Sequence, residues 1–260
     1  MPTDSTPSRP SRPGDRAPDG YDSRDFPVFA VTVDIVILTV TDGQLQVLLV
    51  HRDADPFEGA WALPGGFKRP DETLEQAARR ELREETGVRA PKHLAQFGAY
   101  GDPGRDPRTN VVTVGYLAVV PEIEQIVAGS DAADARLWPV RAAMKSRPRL
   151  AFDHRKILRD AVDRAAQELS DTDLATAFVG PSFTLSELQS VYEALWGDEL
   201  DAPNFRRSLS SSPDESYIEP TGERAASSPK GGRPPELFRA SDAWKYGSPV
   251  KRSRKRPKPE

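Results

Sequence analysis

Between Thr73 and Gly87 the chain reads TLEQAARRELREETG, and the placement of its glutamates constrains the fold more than any other feature. Thr73 with Gln76 makes a capping box and Gly87 is a helix-stopping residue, so a helix is predicted over about 74–86. At roughly 100° per residue from Leu74, Glu81 falls at about 340° and Glu85 at about 20°, between Ala77 and Ala78. Glu84 follows at about 280°, and Arg80, at about 240°, borders it and is placed to orient a carboxylate. Glu75, Gln76, Arg79, Arg83 and Thr86 occupy the opposite, outward side. Two carboxylates therefore share the stripe that should face a core. Like charges at i and i+4 repel by about a few tenths of a kcal/mol in water and by more when partly buried. A divalent cation reverses that sign. Carboxylates at i, i+3 and i+4 lie within one turn and suit a hard, oxygen-loving ion such as Mg²⁺ or Mn²⁺. A solvated acidic helix is the plainer alternative, but it does not account for the inward placement.

Strand-like runs surround this helix. FPVFAVTVDIVILTV (26–40) and QLQVLLVHR (44–52) flank Asp42-Gly43, a strong hairpin signal. Further runs occur at 94–100, 110–120 and 135–140, with the turn-rich loop GDPGRDPRT between the first two. One capped helix among strands predicts a mixed α+β domain over residues 25–148. Within it Arg52, Arg105 and Arg108 are candidate phosphate holders, and Tyr100 is a candidate to stack on a base. His51, His93 and His154 are isolated and read as surface or strand-end residues, not ligands.

The 260 residues contain no cysteine, which removes disulfides, thiolate metal sites and cysteine nucleophiles and suits a reducing cytoplasm. The apolar run at 28–40 is broken by Thr32 and Asp34 and is too short to span a bilayer. Residues 1–24, rich in Pro, Ser, Asp and Arg, read as a disordered leader without a signal peptide. Charge is unevenly spread. Residues 26–203 carry a net −9, whereas 223–260 hold eleven Lys or Arg against four Asp or Glu. An acidic body with a basic end suggests two tasks.

The pattern Gly66, Glu72, Arg80-Glu81-Leu82, Glu84-Glu85 and Gly87-Val88 resembles the complete box of the Nudix hydrolases, as do WALPGGF before it and DAADARLWPV after it. The resemblance implies an α/β/α sandwich and cleavage of the pyrophosphate in ADP-ribose or a related nucleoside diphosphate derivative. It implies metal ligation by Glu81, Glu84, Glu85 and the Gly66 carbonyl, and a loop–helix–loop held together by Glu72 and Arg80. Divalent ions on a pyrophosphate neutralise its charge and lower the pKa of a bound water, while a carboxylate takes the proton; Glu84 is the candidate base.

Helical spacing returns after residue 150. RKILRDAVDRAAQEL is followed by FTLSELQSVYEALWG, with a Thr184/Glu187 capping box and a stop at Gly197, and then by APNFRRSL after Asp201. The last pair fits a helix-turn-helix, with YIEPT, a Gly/Pro-rich loop and ELFRA as a wing, all within 149–240. Asn204, Arg206 and Arg207 are candidate contacts to double-stranded DNA, and Lys230 and Arg233 are candidate contacts to the adjacent backbone. Residues 241–260 read as a disordered basic tail adding sequence-independent phosphate attraction. A helical appendage for dimerisation or protein contact is the alternative. The order of parts resembles the Nudix-related transcriptional regulators of NAD metabolism. That implies an ADP-ribose-type effector, a homodimer on DNA, and, in some relatives, sensing without catalysis.

Overall fold

The hairpin around Asp42-Gly43 starts the sheet. A computed structural model describes residues 20–88, 91–123, 132–209, 216–226, 233–242, 244 and 247–252. Strands β1 (Ala30–Thr41) and β2 (Gln44–Arg52) pair antiparallel. Asp42 and Gly43 both have positive φ (51° and 69°), the backbone a two-residue hairpin turn requires. Short strands β3 (Trp61–Ala62) and β4 (Gly65–Phe67) then pair with β2 and with the first half of β1. Helix α1 (Leu74–Thr86) comes next, followed by β5 (His93–Tyr100), β6 (Val111–Val119), β7 (Ala132–Pro139) and one turn of helix, α2 (Val140–Ala143). β6 runs parallel to β1 in continuous register from Ala30↔Val111 to Leu38↔Val119.

Because β1 is central, its two faces are both covered. Val33, Ile35 and Ile37 meet Ala77, Ala78 and Leu82 of α1 on one side. Val36 and Leu38 meet Ile157, Leu158 and Ala161 of α3 (His154–Asp171) on the other. This is the α/β/α layering expected from the family resemblance. Each fully buried Val or Ile side chain contributes about 1.5–3 kcal/mol. The predicted strand start at Phe26 is not met. β1 begins at Ala30, whose N–H bonds the Asn110 carbonyl, and the residues before it have no strand beside them. Phe26, Val28 and Phe29 stand exposed, Val28 by 84%.

The same core runs on into the second half through α3. α4 (Leu174–Ala177), α5 (Leu185–Trp196) and α6 (Ala202–Leu209) pack on it with Leu188, Val191, Tyr192, Phe205 and Leu209. The Thr184/Glu187 capping box and the left-handed Gly197 (φ 71°) end α5 as its sequence dictates. β8 (Ile218–Arg224) and β9 (Glu236–Ala240) form an antiparallel pair, and Phe183 adds a bridge to Phe238. This three-stranded edge with α4, α5 and α6 is a winged helix.

The described residues beyond Ser241 depart from the disordered tail expected over 241–260, of which 243, 245, 246 and 253–260 lie outside the described residues. As far as Arg252 they are seated: Trp244 lies edge-on to Tyr217, and Ser248 and Val250 are buried. Trp244, Gly247, Ser248 and Val250 supply that seat, while the basic count dominates the composition. No helix among the described residues is long and apolar enough to cross a membrane.

Candidate functional site

Helix α1 is built as its sequence prescribes. Thr73 Oγ1 accepts from the Gln76 N–H, Gln76 Oε1 accepts from the Thr73 N–H, and Gly87 closes the C-terminus with φ 75°. The inward glutamate is real: Glu81 is 8% exposed, and burial pushes its pKa up although Arg80 pulls against it. One wheel assignment fails. Thr86 is fully buried, because its Oγ1 turns back to donate to the Leu82 carbonyl.

Arg80 organises the acids. Its guanidinium donates to both oxygens of Glu72 (3.0 and 2.6 Å), to Glu81 (2.6 Å), to Glu84 (3.3 Å) and to the Phe67 carbonyl (3.1 Å). Glu72 in turn accepts the Arg69 N–H, and these bonds hold its pKa down to about 2. Strand β4, the loop and the helix are thus pinned by one cation.

Glu84, the candidate base, has a side chain 47% exposed on the Arg80 and Arg69 side. Glu85 turns the other way: its Oε2 accepts the Gly65 N–H at 2.9 Å and it lines a cleft. Gly66 has no room for a side chain, since a Cβ there would lie 2.2 Å from Glu81 Oε1. The donors are all oxygens within one helical turn and one glycine backbone, so they fit a hard divalent cation. Among the described residues, however, no three His, Asp or Glu side chains converge closely enough to cage an ion by themselves. Arg80 holds Glu81 and Glu84, while Glu85 is turned to the Gly65 N–H.

The cleft beside Glu85 encloses about 250 Å³ between β1, β2, β4, the 105–108 loop and the start of α3. Arg52, Arg105 and Arg108 all line it, as the sequence suggested, but none is an unengaged cation. The Arg105 side chain is buried and bonds Asp153 (2.7 and 3.0 Å) and Asp34 (3.3 Å), so it braces the cleft wall. Arg108 pairs with Asp106 at 2.7 Å and lies over the rings of Phe67 and Phe152. Arg52 bonds the Pro56 and Ala54 carbonyls and lies over Phe152. Tyr100 is elsewhere: it is buried, its hydroxyl donates to Asp160, and it faces α3 outside the cleft.

Sequence reasoning missed Asp34, Phe152 and His154. Asp34 had a signal, a lone acid inside an apolar strand. The other two lie in a segment more than 85 residues from Gly66 and come near only through the fold. His154 also corrects an expectation. It is no surface residue but 4% exposed, its Nδ1 accepts the Leu63 N–H at 2.9 Å, and its Nε2 stands 3.5 Å from Asp34. His51 and His93 lie at strand ends as read.

Burial lowers the His154 pKa below its ordinary value, against the pull of Asp34 and Asp153. Its neutral form therefore stabilises the fold above about pH 6.5, and that contribution is lost as pH falls through this value. The thermal midpoint is expected to drop between pH 7.5 and 5.5. A His154→Gln chain should start lower and show less of that decline. An equally steep decline in the variant would show that another group controls it.

In the second half, α6 turns Phe205 and Leu209 inward and leaves Asn204, Arg206 and Arg207 outward, with Arg207 bonded to Asn204 Oδ1 at 3.0 Å. Arg233 is exposed before β9. Lys230 lies outside the described residues.

A family model described as the NUDIX domain matches residues 28–161, and one described as the NrtR DNA-binding winged helix domain matches 176–240. The chain is 36% identical over 223 residues to the ADPR responsive transcriptional repressor NtrR of Acinetobacter baylyi, covering 84% of this chain and 85% of that one. It is 40% identical over 131 residues to the ADP-ribose pyrophosphatase of Methanocaldococcus jannaschii, covering 50% of this chain and 72% of the relative. The crystal structure of Shewanella oneidensis NrtR matches with TM-score 0.70 at 35% identity, over 84% of this chain and 97% of that one. The NrtR complex with a 27mer DNA matches equally well, at 34% identity over 81% and 93%. This chain belongs to the Nudix family, and its second half is an NrtR-type winged helix domain.

Proposed function

We propose that this chain is an ADP-ribose-responsive DNA-binding regulator: the cleft beside α1 takes the nucleotide and the winged helix takes the DNA. One observation carries the reading. The buried cluster that includes Leu63 of the cleft wall and Ile157, Leu158 and Ala161 of α3 also includes Phe205 and Leu209 of α6, whose outward face bears Asn204, Arg206 and Arg207. The relatives named above, a repressor and a DNA complex, support it. Aromatic rings at the cleft suit a base or sugar face: Phe67 is half exposed there, with Phe152 beside it.

A second reading is favoured by the intact box, including every acid and Arg80. In it the cleft also hydrolyses the pyrophosphate of ADP-ribose, with Mg²⁺ or Mn²⁺ held by Glu81, Glu84, Glu85 and the Gly66 carbonyl. The ion supplies charge neutralisation and an acidified water when bound. The chain's own residues set the stage for it. Arg80 fixes the acids to the loop, Gly65 and Gly66 let the backbone approach them, and Glu84, half exposed, accepts a proton. The two activities are compatible, because an enzyme that destroys its effector resets a switch.

The test is one sample assayed twice: a gel shift on the DNA upstream of its own coding region, with and without ADP-ribose, and AMP release from ADP-ribose with Mg²⁺. A ligand-sensitive complex is expected. No complex at low salt would sink the regulator reading, and no AMP would sink the hydrolase reading alone.

The exposed Phe26, Val28, Phe29 and Val31, close together in sequence at the start of β1, suit burial against a second copy of the chain. Sedimentation at micromolar concentration is expected to give twice the 28.6 kDa chain mass. A single monomeric species would refute a homodimer.

A further inference from the structure

We propose that Asp34 and His154 form a hydroxyl-reading pair on the wall of the cleft, and that they select a ribose-bearing nucleotide by exchanging hydrogen bonds with one ring hydroxyl of its sugar. The inference rests on the ADP-ribose reading above and names the groups that recognise the sugar.

The imidazole has one role open to it. Its Nδ1 accepts the Leu63 N–H at 2.9 Å, so in the neutral ring the proton sits on Nε2 and that atom is a donor. It has no lone pair with which to take a proton from water. Facing it is Asp34 Oδ1, at 3.5 Å. An N–H···O hydrogen bond runs to about 3.2 Å, so this contact is stretched. Asp34 Oδ2 is occupied by Arg105 at 3.3 Å, but among the described residues no other donor reaches Oδ1. A donor and an acceptor thus face each other without closing. A hydroxyl satisfies both, its oxygen accepting from Nε2–H and its hydrogen going to Oδ1. A phosphate oxygen can only accept, and the Asp34 charge repels it. This wall therefore takes the sugar and not the pyrophosphate.

Both groups are held from behind. Asp153 binds Arg105 at 2.7 Å and Arg105 binds Asp34, so the residue beside His154 fixes the aspartate as well. Gly65 keeps the approach open, since a Cβ there would stand 2.9 Å from Asp34 Oδ1 and cover the acceptor. The Gly65 N–H meanwhile goes to Glu85 Oε2, so the pair and the acidic edge of the cleft flank one glycine. A ribose joined to a pyrophosphate suits that spacing, because its ring hydroxyls lie only a few bonds from the phosphate. The Phe152 ring, 5.2 Å from that of His154, gives the C–H face of the sugar an apolar neighbour. Asp34 and His154 are both buried. A ligand lacking the hydroxyl leaves a desolvated donor and a charged acceptor unmet, and a site built this way discriminates strongly.

The experiment measures binding to the full chain by calorimetry, with chelator present and again with Mg²⁺. ADP-ribose is compared with four analogues, each lacking the hydroxyl at carbon 2 or carbon 3 of one of its two riboses. One analogue is expected to bind about thirtyfold or more weakly than ADP-ribose, and its identity tells which ribose meets the pair. Asp34→Ala removes the acceptor, so in that variant the loss is expected to shrink by about fivefold or more. Asp34→Asn replaces it should the alanine variant not fold, because a neutral amide oxygen is a weaker acceptor than a carboxylate. A purely structural role for Asp34 would weaken ADP-ribose and every analogue alike, and the loss would not shrink. Losses below about thirtyfold for all four analogues overturn the pair, and so does a loss that shrinks less than about fivefold in the folded variant. A wild-type chain that binds no ADP-ribose in either buffer defeats the nucleotide reading itself, and this inference with it.

Discussion

Replacing Glu85 with glutamine is expected to leave the fold intact and to cut Mg²⁺-dependent AMP release from ADP-ribose by two orders of magnitude or more. The substitution is close to isosteric, and the amide oxygen of glutamine can still accept the Gly65 N–H that Glu85 Oε2 accepts at 2.9 Å. What disappears is one negative charge at the edge of the cleft. Neutralisation of a pyrophosphate by bound cations is worth about several kcal/mol of barrier, and each 1.36 kcal/mol is a factor of about ten in rate. Weaker Mg²⁺-dependent ADP-ribose binding is expected from the same variant, so the measurement reports even on a chain that binds without cleaving. Turnover and binding both within threefold of wild type would remove Glu85 from the site. Arg80 is the wrong residue for such a test. Its loss strips four acceptors of their shared donor, and removing one partner of a buried ion pair costs about 3 kcal/mol or more.

Arg206→Ala combined with Arg207→Ala is expected to weaken binding to the upstream DNA at least thirtyfold while ADP-ribose handling stays unchanged. Both side chains project from the outward face of α6, whereas Phe205 and Leu209 hold that helix on the core. An arginine that reads a base edge is worth about 1–3 kcal/mol of discrimination. Two such losses should therefore lower the preference for the upstream sequence over an unrelated duplex. A variant that loses affinity equally for both duplexes would place the two arginines on phosphates. A variant that binds as wild type would take α6 out of the interface.

The local elements were legible where the chain's own chemistry specifies them. Helix α1 begins and ends where Thr73, Gln76 and Gly87 say it should, the hairpin turns at Asp42-Gly43, and α5 runs from its capping box to Gly197. The inward position of Glu81 followed from helical period alone. What was not legible depends on partners far away in sequence. The bond from Arg105 to Asp153 joins residues 48 apart. The bond from Tyr100 to Asp160 joins residues 60 apart. His154 looked isolated for the same reason. The seated segment up to Arg252 was hidden by composition, since the basic residues on either side of Ser248 and Val250 outnumber them.

Helix α3 begins with His154 gripping the Leu63 amide, just after Asp153 holds Arg105, and it ends against Trp196 and the docked C-terminal segment. Its 18 residues span about 27 Å without a break. A rigid helix held at both ends would carry a displacement of one end to the other. A tilt of about 5° at the nucleotide end swings the far end by about 2 Å over that length. In a two-fold assembly such a swing is doubled between the paired helix-turn-helix units. Paired units would have to meet grooves about one DNA turn apart, so a ligand that tilted this helix would be read by DNA as a change of spacing.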